Sequence, residues 1–204
     1  MKDHVTPHSV PYPPGEEPDE VVPVQYADYR YVLGRKPRAG GVPLVAVCMN
    51  PSAARDSVSD RTVNRVIREA DARGYDGWFV VNVCPERATD AKNLVPGAHA
   101  AWDTQNVHEI LDLLDRYAAT EVWAAWGASA SPRIRRGRDQ VVAALRERGT
   151  AMWHLGELTK DGHPRHPLYL KNGLERREFD PSGLPIPSGV VKPSSVDKRS
   201  GSHD

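Results

Sequence analysis

Between residues 29 and 155 the apolar positions switch back and forth between two periods. Leu44-Val-Ala-Val-Cys48 is a continuous apolar run bounded by a Gly-rich turn at 38–41, the pattern of a strand covered on both faces. Beyond it, Val63, Val66, Ile67 and Ala70 recur at helical spacing, with Asp60 as a cap and Gly74 as a stop, which predicts a helix over about 61–73. Trp78-Phe-Val-Val-Asn-Val83 predicts the next strand, and Val107, Ile110, Leu111 and Leu114 predict a helix beginning near Thr104. Glu121-Val-Trp-Ala-Ala-Trp126 predicts a third strand. Val141, Val142 and Leu145 mark a helix ending before Gly149, and Ala151-Met-Trp-His-Leu155 predicts a fourth strand. A shorter strand is expected over Tyr29 to Gly34.

Strand and helix alternate, so the strands are expected to lie parallel, joined by right-handed crossovers that place helices on both faces. The expected fold is α/β: a three-layer α/β/α sandwich around a mainly parallel, four-stranded central sheet. Six prolines lie between Pro7 and Pro23, which predicts an extended, weakly ordered N-terminal segment over 1–25. A single domain follows over 26–180, and the Pro-, Ser- and Gly-rich stretch 181–204 reads as a flexible C-terminal tail. Neither end is expected to carry chemistry.

Composition narrows the functional classes. With 204 residues, 39% hydrophobic and 26% charged, the chain suits one ordinary core. It has no apolar run of the roughly 18 residues that a membrane helix needs. The opening Met1-Lys2-Asp3-His4 lacks an apolar signal segment, so a cytoplasmic location is expected. Lys+Arg and Asp+Glu balance at 27 each, which counts against tight binding of duplex DNA. Arg133, Arg135, Arg136 and Arg138 are expected on a solvated helical face. Cys48 and Cys84 lack metal-site spacing and read as buried thiols.

Four polar motifs fall where parallel strands are expected to end, and in an open α/β sheet those ends border the ligand crevice. After the first of these strands come Asn50, Pro51 and Ser52. The amide of Asn50 suits orienting a water or a base edge, or else caps its own turn. Asn82 is the one polar residue in its strand and must find partners there. Glu86, Arg87 and Thr89 follow, with the guanidinium suited to phosphate or carboxylate. Trp126 and Gly127 end the third strand. Trp123 and Trp126 should face opposite sides, with one of them in the core and Trp126 preferred for stacking on a ligand. His163-Pro-Arg165-His166-Pro-Leu-Tyr169 follows the fourth strand, its prolines holding the imidazoles. An imidazole there suits a hydrogen-bond donor or general acid better than a metal ligand, since no third ligand accompanies the pair.

Met49-Asn-Pro-Ser-Ala53, Asp60-Arg-Thr62, Gly74 to Asn82, Arg87-Ala-Thr-Asp90, Ala125-Trp-Gly127 and Gly162 to Tyr169 together resemble the family "domain of unknown function 1643", over about residues 29–171. More distantly, Cys48 to Ser52, Asn82 to Thr89 and His166-Pro-Leu-Tyr-Leu170 resemble motifs of the uracil-DNA glycosylase superfamily, in particular its mismatch-specific uracil and thymine branch. Ser52 stands where that branch has glycine, and no duplex-opening wedge is recognisable after Tyr169. The resemblance implies a uracil-DNA-glycosylase-like sandwich that hydrolyses an N-glycosidic bond. Asn50 would hold the attacking water and His166 would support the departing base. Ser52, Asn82, Glu86, Arg87, Thr89, Trp126, Gly127, Arg165 and Tyr169 would line the substrate site. Such chemistry calls for no metal or organic cofactor. With neutral charge, the expected partner is a nucleobase-containing small molecule or single-stranded nucleic acid, with no membrane. The oligomeric state stays open. Two other functions also fit the residues: a non-catalytic nucleotide or modified-base binder, and an enzyme of different chemistry on the same fold.

Overall fold

The computed structural model describes residues 8–90, 93–94 and 99–184. Strands β1 (Ser9–Val10), β2 (Glu20–Val22) and β3 (Val32–Arg35) come first. They are followed by β4 (Leu44–Cys48), β5 (Ser59–Asp60), helix α1 (Arg61–Ala72) and β6 (Trp78–Asn82). Helix α2 (Ala100–Arg116), β7 (Glu121–Ala124), α3 (Pro132–Arg148), β8 (Ala151–Leu155) and β9 (Arg176–Glu178) complete the order.

The main sheet has seven strands in the order β2-β3-β6-β4-β7-β8-β9 and is mixed, not the four-stranded, mainly parallel sheet expected. Within it β6, β4, β7 and β8 run parallel to one another. β2, β3 and β9 are antiparallel additions at the two edges. These additions escape hydrophobic patterning for physical reasons. Arg176-Arg-Glu178 is an exposed, fully charged edge whose backbone, not its side chains, joins β8. Glu20–Val22 lies among prolines but still pairs residue for residue with Val32–Gly34. The N-terminal segment is therefore extended yet built into the fold: β1 pairs with β5, and Tyr12 is buried against Trp78. Residues 1–7 and most of the expected C-terminal tail (185–204) lie outside the described residues.

Two apolar layers flank the sheet. On one face Val63, Val66, Ile67 and Ala70 of α1 pack on Leu44, Ala46, Val80 and Trp123. On the other, Ile110, Leu113 and Leu114 of α2 and Val141, Val142 and Leu145 of α3 pack on Val45, Val47, Phe79 and Val122. α1 lies in the crossover from β4 out to β6 and α2 in the one from β6 back past β4 to β7, so right-handed connections running in opposite directions place these helices on opposite faces. The strand order thus reverses beside β4, where open α/β sheets bind their ligands.

Three elements differ from their sequence patterns in instructive ways. α2 begins at Ala100, four residues before Thr104, because its N-cap is His99 in the left-handed region without a side-chain cap. The Thr104 hydroxyl instead bonds back to the Ala100 carbonyl at 3.3 Å, inside the helix. α3 carries its arginines inward as well as outward. Arg133 is fully buried, 2.6 Å from Asp103 of α2 and 3.3 Å from Glu86, and buried Arg138 pairs with Asp139 at 2.6 Å. The expected solvated basic face is in large part an internal ion-pair network.

Candidate functional site

The loops after β4, β6, β7 and β8 enclose a cavity of about 550 Å³, within the range of small-molecule sites. Backbone hydrogen bonds zip the first two of these loops together. Val83 N donates to Cys48 O at 2.9 Å, Cys84 N to Met49 O at 3.0 Å, and Ala88 N to Pro51 O at 3.0 Å. Asn50, expected from the sequence to hold a water, lines the cavity with its side chain fixed: Nδ2 donates to Ala88 O at 2.7 Å and to Pro51 O at 3.1 Å. Both amide hydrogens are spent on the wall, and Oδ1, an acceptor, has no partner among the described residues.

Asn82 stands on the cavity floor, 1% exposed, where α2 anchors its backbone through Asn106 Nδ2 at 2.8 Å. Its Oδ1 accepts from Arg30 at 3.4 Å, which leaves Nδ2 without a described partner. The expected pairing requirement of the buried amide is met at its oxygen by an arginine. Arg30 is itself 2% exposed and on the cavity lining, and its second contact is to Ala54 O at 2.8 Å. Burial, and then the charge of Arg87, lower its pKa to about 10, so it remains a cation at neutral pH. Sequence patterning did not single out Arg30 as a site residue. The available signal was the one that marks Asn82: a polar group among Tyr31, Val32 and Leu33 that the core must accommodate.

His166 also lines the cavity. Its Nδ1 accepts from Leu168 N at 3.4 Å, which places the ring proton on Nε2. Desolvation depresses its pKa from the usual 6.5 to about 4, although the charge of Asp60 acts in the opposite direction. At neutral pH it is therefore a neutral donor and not an imidazolium acid. Gly127 makes room for this histidine. Its φ is +72°, and a Cβ there would stand 3.0 Å from His166 Cβ, so the glycine admits the late loop as well as bordering the cavity. Ser52, Thr89, Arg165 and Tyr169 also line the cavity. Thr89 and Tyr169 are exposed at its rim, and Arg165 is partly tied to Glu157 O at 3.0 Å.

Three expected site residues are not on the cavity lining. Trp126 is fully buried and meets Phe179 edge-on at 5.5 Å, so it belongs to the core. Trp123 and Trp126 do face opposite sides, but the two layers bury both. Arg87 points into the protein. It donates to Ala27 O, Ser52 O and Ala54 O, each at 3.1 Å, and lies over the Tyr26 ring, binding loops together where a phosphate had been expected. Glu86 is engaged by Arg133. The two histidines of the late motif also diverge: His163 turns to Arg138 at 3.2 Å, and burial and then that cation lower its pKa. Among the described residues, no three His, Cys, Asp or Glu side chains are placed to hold a metal ion.

Two further groups complete the lining. Cys48 contributes a thiol that burial raises to about 12, so it carries no thiolate at neutral pH. Asp60, read from the sequence as the α1 cap, does cap Val63 N at 2.9 Å through Oδ1 and also faces the cavity.

Fold and cavity together define an α/β protein with a ligand-sized cleft at the carboxyl ends of its parallel strands. The chain belongs to the family described as protein of unknown function (DUF1643), which matches residues 30–168. That span opens at Arg30 and takes in Asn50, Asp60, Asn82 and His166. No curated protein and no solved structure matches the chain. No helix among the described residues is long and apolar enough to cross a membrane.

Proposed function

We propose that this protein hydrolyses the N-glycosidic bond of a nucleobase-containing substrate, either a small nucleoside or nucleotide or a single-stranded nucleic acid. The observation that carries this reading is the state of Asn50, whose amide hydrogens are both committed to loop carbonyls and whose oxygen remains to accept from a water in the cavity. Breaking the bond generates an oxocarbenium-like sugar and an anionic base, so the site needs a held water and donors toward the base. His166 Nε2–H and Asn82 Nδ2–H supply neutral donors on the same cavity lining. Tyr169 at the rim offers a ring to stack on a base. The likeness of the strand-end motifs to the uracil-DNA glycosylase superfamily supports the same assignment, with a sandwich of that type as the finer description of the fold.

The test is release of free base, followed by chromatography, from nucleosides, their 5′-monophosphates and uracil-containing single strands. The native chain is expected to release base. Asn50→Ala is expected to slow release by about 10²–10³-fold, the loss that follows removal of one preorganised polar group. Binding of these ligands in calorimetry with no release would assign the cavity to a non-catalytic nucleotide binder. Release that persists undiminished in Asn50→Ala would remove the mechanism.

A further inference from the structure

The cavity is lined by two buried charges of opposite sign that do not pair with each other. Arg30 is 2% exposed, and its described partners are neutral: Ala54 O at 2.8 Å and Asn82 Oδ1 at 3.4 Å. Asp60 is 9% exposed and has one described side-chain partner, the Val63 amide at 2.9 Å through Oδ1. Among the described residues, neither forms an ion pair within 4.0 Å, whereas Arg133, Arg65 and Arg138 all do. Burying a charge without a directly bonded counter-charge is costly, and Asp60 acts on Arg30 only at longer range. The amino end of α1 favours the Asp60 charge, but its second oxygen, Oδ2, has no partner among the described residues. A ligand that becomes dipolar in the site explains a charge of each sign on the cavity lining with no direct ionic partner.

We infer that Asp60 and Arg30 are a second catalytic pair, arranged so that the carboxylate meets the cationic sugar and the guanidinium lies on the side of the anionic base. The inference rests on the N-glycosidic reading above. In the step it describes, the oxygen of the water held by Asn50 bonds to the sugar's anomeric carbon as the carbon–nitrogen bond breaks. The bonding pair leaves with the base, whose charge Arg30 lowers through Asn82. The water gives up one proton to the Asp60 carboxylate, and the base takes a proton from solvent. No oxidant, reductant or co-substrate is needed.

Asp60→Asn and Asp60→Ser both keep a helix cap, so both are expected to fold with the native far-ultraviolet spectrum and melting behaviour. With the substrate that the native chain turns over, each is expected to lower kcat by about 10²-fold or more and to leave KM within about threefold, since the lost interaction belongs to the transition state. Arg30→Gln is expected to slow release most for the least acidic leaving base. A halogenated base analogue with a more acidic ring proton should recover much of the loss, a dependence that mere loosening of the Ala54 loop would not produce. Native-like kcat in both Asp60 variants overturns the pair while leaving the hydrolase reading in place. Absence of base release from every substrate by the native chain overturns both.

Discussion

His166 shows how burial changes what a residue can do. Its pKa is depressed to about 4, so between about 6.5 and about 4 the unfolded chain takes up a proton that the folded chain refuses. The contribution to stability is complete above the upper value and is lost as pH falls through this window. The urea midpoint is therefore expected to drop over that range, and His166→Asn should flatten that part of the slope. An identical slope in the two proteins would contradict it. Gly127 is the matching case for the backbone. Gly127→Ala is expected to cost about 1–2 kcal/mol for the left-handed conformation alone, and its Cβ would press on His166. A lowered thermal midpoint together with slowed base release is the expected result, and an unchanged melt would show that the loop yields freely. Residue type had foretold Asn50, Asn82 and His166 on the cavity. It misplaced Arg87, Glu86 and Trp126, whose chemistry suits a ligand as well as it suits the carbonyls, arginine and phenylalanine that hold them. A side chain's partner is a three-dimensional fact.

At the level of elements, α2 and α3 are locked to the loop after β6 by charge as much as by apolar packing. Arg133 is fully buried between Asp103 and Glu86. Arg133→Ala would leave Asp103 buried with only its link to Arg136, and a loss of about 3–5 kcal/mol is expected by chemical denaturation. A loss below 1 kcal/mol would mean that water already serves these groups. The helices and the four parallel strands were legible in the sequence because apolar periodicity repeats over enough residues to be distinctive. α1, β4 and β8 match their patterns to within a residue. The edge strands were not legible. β1, β2, β5 and β9 are two or three residues long, too short to show a period, and they form by backbone pairing to strands already in place.

For the molecule as a whole, the formal charge is +0 and much of the basic stretch of α3 is consumed internally. Duplex DNA is accordingly expected to bind no more tightly than the non-specific range, a Kd of about 10⁻⁴–10⁻⁶ M at physiological salt. Fluorescence anisotropy of a labelled duplex measures this, and nanomolar binding would reverse the assignment of substrate class. The sequence by itself determined that the chain folds as alternating strands and helices and that its polar motifs sit at strand ends. Both are local properties, written in periods of two and 3.6 and in the residues that interrupt them. Only the tertiary structure decided the width of the sheet, which motif residues face the cavity, and that Arg30 and Asp60 join them there. Those outcomes depend on tertiary pairings such as β8 with β9, Arg30 with Ala54 and Asn82, and Asn50 with Ala88, whose energies arise only once burial has removed the competing water.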